Sequence, residues 1–117
     1  MVLYGIFGNY TTESCPLNNN VNRVLMIDIS KRLTDISTRN HVNLKHQFHS
    51  ALEHSFFWIL DAENGHVVQK FMIELGMARF ISMKIFPIGT FQNVVDECKK
   101  LEQLSNRDEV ESHNITS

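Results

Sequence analysis

Residues 55–60 read SFFWIL, a serine followed by five consecutive apolar side chains. Successive side chains of a strand point to opposite faces, so a strand made of this run is apolar on both faces. Such a strand belongs in the middle of a sheet that is covered on each side. The run is also far shorter than a membrane-spanning helix requires. This stretch therefore predicts a sheet in which residues 55–60 form a central strand.

Three further segments show the two-residue period of strands. Residues 2–10 alternate with apolar groups on both faces, whereas residues 42–48 are apolar at one parity and polar at the other. Residues 80–86 are mostly apolar and predict a strand that stops at Pro87, which cannot continue a sheet ladder. Together with the central strand, these segments predict four strands.

Helical periodicity appears between the strands and after the last one. Apolar residues recur at helical spacing over residues 19–37. A second helix has Asp61 or Asn64 as its N-cap and ends at Gly76. Thr90 is a candidate N-cap for a last, C-terminal helix. The chain therefore alternates strand, helix, strand, strand, helix, strand, helix.

The length of 117 residues, with 43% hydrophobic content, fits one domain. We expect a single α+β domain over residues 1–104, followed by a polar, disordered tail over residues 105–117. The net charge is -2 and no run of Lys or Arg exceeds two, so neither nucleic acid nor a membrane surface is an expected partner. Two cysteines and a start without a secretory leader favour a cytoplasmic protein with free thiols.

The order of elements predicts a ferredoxin-like βαββαβ fold, a four-stranded antiparallel sheet with helices on one face, plus the C-terminal helix. The other face would carry some combination of Tyr4, Phe7, Phe56 or Phe57, and Trp58, too much apolar surface for a monomer. Burial of such a face, at about 25 cal/mol per Å², favours a face-to-face homodimer. The alternative is that the C-terminal helix folds across it.

Three stretches carry a resemblance to a known family: LYGIFGNYTTESCPL near the start, EHSFFWILDA in the middle, and MKIFPIGTFQNVV before the last helix. They resemble a small, largely uncharacterised family with the dimeric α+β-barrel form of the ferredoxin-like fold. The resemblance covers roughly residues 2–100 and implies a homodimer whose two sheets close a barrel. The chemistry of that family is unsettled, so the resemblance implies no catalytic residue.

A histidine cluster follows the second strand. The stretch HQFHSALEH holds three of the six histidines and a glutamate, and the predicted topology brings it to the same sheet edge as Cys15. Imidazole, carboxylate and thiolate groups are the usual ligands of transition metals. We predict a divalent metal, zinc, copper or nickel, bound by His46, His49 and His54, with Glu53, Cys15 or water as a fourth ligand.

Two considerations weigh against this metal site. In a regular second strand, His46 shares a face with Leu44 and Phe48, and His49 lies on the opposite face unless the turn has begun. The spacing of the histidines is also far less diagnostic than paired CxxC knuckles. A plain polar hairpin is therefore the competing interpretation.

Two other functions stay open. A dimeric barrel of this kind can hold a small aromatic substrate or haem against its sheet, as small monooxygenases do, with Tyr4, Asn9, Phe57 and Trp58 as candidate lining residues. The second helix offers only His66, at its start, as an obvious haem ligand. A non-catalytic interaction or scaffold role needs no such pocket. The sequence does not decide whether the protein is an enzyme.

Overall fold

The computed structural model describes residues 1–116 of the backbone, and side chains as far as Arg107. Four strands and three α-helices follow one another in the predicted order, with one short 3-10 turn before the last strand. The elements are β1 (Val2–Asn9), α1 (Asn20–Arg39), β2 (Asn43–Ser50), β3 (Ser55–Ala62), α2 (Gly65–Leu75), the 3-10 turn (Met77–Arg79), β4 (Ser82–Pro87) and α3 (Phe91–Thr116).

The strands form one antiparallel sheet in the order β2-β3-β1-β4. Strand β3 lies between β2 and β1, which confirms that residues 55–60 belong to a central strand. The chain is thus α+β, and its strand order agrees in outline with the predicted ferredoxin-like arrangement.

Asparagine side chains begin the first two helices. The Asn19 side chain accepts a hydrogen bond from the backbone N–H of Asn22, and Asn64 does the same for Val67, so Asn64 rather than Asp61 is the cap of α2. Gly76 ends α2 with a φ of 90°, a left-handed conformation that glycine adopts without steric cost. Local sequence therefore sets where these helices begin and end.

The two faces of the sheet differ in cover. Side chains at even positions of β1 and β3 pack with α1 and α2 in one buried cluster, which we call the helix-covered face. Those at odd positions lie on the other side, the open face. The expectation for the uncovered side was therefore partly wrong: Tyr4, Phe56 and Trp58 are buried beneath the helices, and only Phe7 and Phe57 of that set are on the open face.

Strand β2 is not regular. Its register with β3 shifts between Leu44 and His46, because Lys45 is an extra residue in the ladder. Leu44 pairs with Leu60 on the helix-covered face, but His46 pairs with Ile59 and lies on the open face. His46 would share a face with Leu44 in a regular strand, but this irregularity places the two residues on opposite faces. His46 does share a face with Phe48, and their rings stack with centroids 5.7 Å apart.

Helix α3 extends away from the rest of the fold. Apolar side chains along it stay exposed, namely Phe91, Val94, Leu101 and Leu104. Exposed aromatic side chains also persist on the open face, so the described part of α3 does not cover that face. The helical backbone continues through the segment from Ser105 that the sequence assigns to a tail. Side chains past Arg107 lie outside the described residues, and the division at residue 104 stays a prediction.

Candidate ligand pocket beside Tyr10 and His49

Tyr10 lies at the sheet edge where β1 ends and the β2–β3 hairpin turns. Its backbone N–H donates a hydrogen bond of 3.0 Å to the carbonyl oxygen of His54. His54 has a φ of 49°, in the left-handed region, which lets the hairpin close against the end of β1. The antiparallel pairing of β1 with β3 therefore fixes Tyr10 beside the histidine hairpin.

The Tyr10 ring has aromatic neighbours from two parts of the chain. It stacks on His49, with centroids 5.9 Å apart and an interplanar angle of 16°, and the Tyr10 hydroxyl is hydrogen-bonded to Nε2 of His49. His54 and Phe80 lie at centroid distances of 6.2 and 6.5 Å in tilted arrangements. His49 pairs with Phe56 in the sheet, so the Tyr10–His49 pair is on the helix-covered face.

Cys15 is the second polar neighbour of the Tyr10 hydroxyl. The thiol is fully buried, in a loop where the Cys15 carbonyl accepts hydrogen bonds from the N–H groups of Asn18 and Asn19. Burial, the charge of Cys15 and a hydrogen bond to Cys15, in decreasing order, together raise the pKa of Tyr10 to about 12. At neutral pH the phenol therefore keeps its proton and can donate it in a hydrogen bond.

A pocket of about 290 Å³ adjoins this pair. It lies between the helix-covered face, the loop after β1, the first turns of α1, and the 3-10 turn. Besides Tyr10 and His49, its lining side chains are Pro16, Leu17, Met26, Phe56, Trp58 and Met77. The lining is therefore apolar, apart from the Tyr10–His49 pair and the indole nitrogen of Trp58.

The predicted metal ligands are divided by the sheet. His46 is on the open face and His49 on the helix-covered face, while Glu53 is exposed in the hairpin turn. Cys15, His49 and His54 all neighbour Tyr10, and Nδ1 of His54 is buried without a hydrogen-bond partner in the described part of the chain.

No group of three or more His, Cys, Asp or Glu side chains that could hold a metal ion occurs among residues 1–107. The structure separates two of the predicted ligands because His46 and His49 are three positions apart in the regular part of β2 and therefore lie on opposite faces. Zinc, copper or nickel binding stays a prediction, without a ligand group to support it.

The four residues predicted to line a small-molecule pocket do not come together. Tyr4 and Trp58 are on the helix-covered face, and Asn9 and Phe57 are on the open face. Only Trp58 lines the pocket described above. Tyr4 lines a different, shallower cleft of about 490 Å³ that also includes His66.

Sequence reasoning assigned no role to Tyr10, and it assigned His49 to a metal rather than to this pocket. The sequence does contain a signal for the position of Tyr10. Antiparallel pairing of the first and third strands places the residue after β1 beside the start of β3. The methionines Met26 and Met77 gave no such signal, since apolar residues at helical spacing are indistinguishable from core.

Comparisons with known proteins assign no family. No protein-family model matches the chain, and no curated protein matches it. Membership of the dimeric α+β-barrel family therefore stays a prediction. Within the residues that the structure describes, no helix combines the length and the apolarity needed to cross a bilayer.

Proposed function

We propose that this protein binds a small, largely apolar molecule in the pocket beside Tyr10 and His49. The observation that carries the proposal is the combination of an apolar lining with one adjoining hydrogen-bonded polar pair. Ligand sites typically have this composition, in which apolar walls supply affinity and a few polar groups fix orientation. The volume of about 290 Å³ suits a molecule of one or two rings.

The pocket is accessible from solvent. Leu17 and His49 line it and are themselves exposed, Leu17 with 63% of its surface. Phe56 and Trp58 also line the pocket and are buried, with ring centroids 5.4 Å apart. Because some lining residues are exposed and the aromatic ones are buried, a ligand can enter the pocket from solvent without unfolding the core.

Ethylbenzene is a suitable first probe because it matches the size and apolarity of the site. Titration should shift the methyl NMR signals of Met26 and Met77, which line the pocket, more than those of the other methionines. Leu17→Trp should fill the mouth and weaken binding at least tenfold. Val21→Trp, at an exposed position of α1 outside the lining, is the matched control. Absence of any shift at Met26 and Met77 would contradict the proposal.

We also propose that two copies of the chain pair through their open faces as a dimeric α+β barrel. Three phenylalanines from three strands support this, because Phe7, Phe48 and Phe86 are 40%, 57% and 37% exposed on one face. An apolar patch of this kind on a sheet is typical of an interface between protein copies.

Sedimentation velocity tests the dimer. The unmodified protein should sediment as a dimer, and Phe48→Glu should give a folded monomer because it places a charge in the interface. Val21→Glu carries the same change at an exposed site on α1 and should stay dimeric. A dimer that survives Phe48→Glu would place the interface elsewhere.

A further inference from the structure

Two side chains of the pocket have protons to donate. Trp58 contributes an indole N–H, a group that only donates, and no residue in the described part of the chain accepts a hydrogen bond from it. Tyr10 contributes a phenol that keeps its proton at neutral pH. Both donors belong to side chains that line the same apolar space.

His49 is able to leave the Tyr10 proton free for a ligand. The imidazole is hydrogen-bonded to the Tyr10 oxygen through Nε2, and in the tautomer with a proton on Nε2 it is the donor of that bond. With the Cys15 thiol donating its S–H to the same oxygen, the phenol accepts from both neighbours and directs its own proton elsewhere. Donation to a ligand oxygen would be strengthened by this arrangement, because linked hydrogen bonds polarise one another.

Charged ligands fit this lining poorly. No Lys, Arg, Asp or Glu side chain lines the pocket, and His49, the lining residue that can carry a positive charge, is hydrogen-bonded to Tyr10 through Nε2, so neither a carboxylate nor an ammonium group finds a free opposite charge there. A neutral oxygen acceptor needs no such partner. Among neutral groups, a carbonyl oxygen has two lone pairs and can accept from two donors at once.

We propose that the ligand is a neutral, mostly apolar molecule with a carbonyl oxygen, which accepts hydrogen bonds from Tyr10 and Trp58. This inference rests on the proposed function and adds the chemical class of the ligand. Tyr10 and Trp58 are binding residues in this assignment, and His49 is a positioning residue that orients the Tyr10 hydroxyl.

Acetophenone and ethylbenzene form a matched pair of probes, alike in size and different in the carbonyl group. The protein should bind acetophenone about thirty times more tightly, as expected for two additional net hydrogen bonds of about fivefold each. Acetophenone labelled with ¹³C at the carbonyl should show a downfield shift of that signal on binding, relative to its position in cyclohexane. This shift reports the hydrogen bond in the unmodified protein, without any variant.

Variants then identify the donors. Tyr10→Phe and Trp58→Phe should each reduce the acetophenone preference and the carbonyl shift, while ethylbenzene still binds. Tyr4→Phe removes the hydroxyl of a tyrosine that lies on the same face but outside this pocket, and should change neither. His49→Gln should keep part of the carbonyl shift, because an amide can still donate to the Tyr10 oxygen.

The outcomes separate the two proposals. Equal binding of the two probes with no carbonyl shift would overturn the ligand class and leave the apolar pocket in place. Failure of both probes to bind would overturn the pocket and the ligand class together. Retention of the full carbonyl shift in both Tyr10→Phe and Trp58→Phe would overturn the assignment of the donors.

Discussion

The two faces of the sheet contain similar side chains but have different neighbours. On the helix-covered face, Phe56 and Trp58 pair with ring centroids 5.4 Å apart and are nearly inaccessible to solvent. On the open face, Phe57 and Phe86 pair at 6.2 Å, and Phe86 keeps 37% of its surface exposed. Aromatic content alone therefore does not tell the interior of a subunit from a surface. What distinguishes them is whether another element of the same chain packs on top.

This contrast has an energetic meaning. A side chain buried by the fold stabilises the monomer, whereas one left for a partner contributes only after association. Equivalent substitutions on the helix-covered face and on the open face should therefore distinguish stabilisation of the monomer from stabilisation of the dimer.

The largest difference is expected between two phenylalanines on the two faces. Phe56→Ala removes a ring that is 4% exposed and should lower the free energy of unfolding by about 3–5 kcal/mol. Phe48→Ala removes one that is 57% exposed and should cost less than about 1 kcal/mol. Urea unfolding, measured below the concentration at which copies associate, compares them. Similar losses for both would show that the open face is covered within one chain.

A smaller difference is expected between two glycines of β1. A Cβ at Gly8 would lie 2.2 Å from the ring of Phe56 and 2.9 Å from Ile81, both in the buried cluster. Gly8→Ala should therefore lower the free energy of unfolding by about 1–3 kcal/mol.

Gly5→Ala is the counterpart of Gly8→Ala on the open face. Its Cβ would meet the rings of Phe86 and Phe57 at 3.0 and 3.1 Å, and the partly exposed Phe86 ring has room to move aside. We expect a smaller loss in thermal unfolding than for Gly8→Ala. A larger loss at Gly5 would show that the open face is packed as tightly as the helix-covered one.

The smallest effect should come from the outer surface of the covering helices. Arg39 of α1 and Glu74 of α2 form an ion pair of 2.8 Å, and the hydrogen bond from Arg39 lowers the pKa of Glu74. Because the lowered pKa belongs to the folded state, this stabilisation is present at neutral pH and is lost as the pH falls through the folded pKa.

Glu74→Gln should therefore be slightly less stable than the unmodified protein at pH 7, and the difference should disappear in acid. Thermal unfolding at a series of pH values measures it, with Asp35→Gln of α1, for which no ion pair is seen with the described residues, as a control. A difference that persists at low pH would indicate that Glu74 acts through packing instead of charge.

Periodicity and turn residues were sufficient to predict the elements of this fold. The order of strands and helices, the central position of residues 55–60 and the ends of α2 follow from side-chain alternation, an asparagine cap and a glycine. These are local properties, and each is decided by a few neighbouring residues.

The sequence could not assign the faces correctly. Which parity of β1 and β3 lies under the helices depends on packing across the whole domain, and Tyr4, Phe56 and Trp58 carry no local sign of it. Strand alternation predicts that His46 and His49 lie on opposite faces, but which of them faces the helices depends on a register shift, which periodicity does not reveal. The Tyr10–His49 pair joins residues far apart in sequence, so its recognition requires the strand pairing first.

The irregularity in β2 also determines how this strand can tolerate changes in length. Lys45 has no partner in the ladder, and its contact with Asp61 is a 3.4 Å ion pair between partly exposed groups. Deletion of Lys45 would restore an uninterrupted ladder and leave every later side chain on its present face. Deletion of Gln47 would instead move side chains to the other face of the sheet, either His46 before the deletion or Phe48 and His49 after it. Deletion of one residue from β2 therefore leaves the faces of its side chains unchanged at one position and reverses them at another.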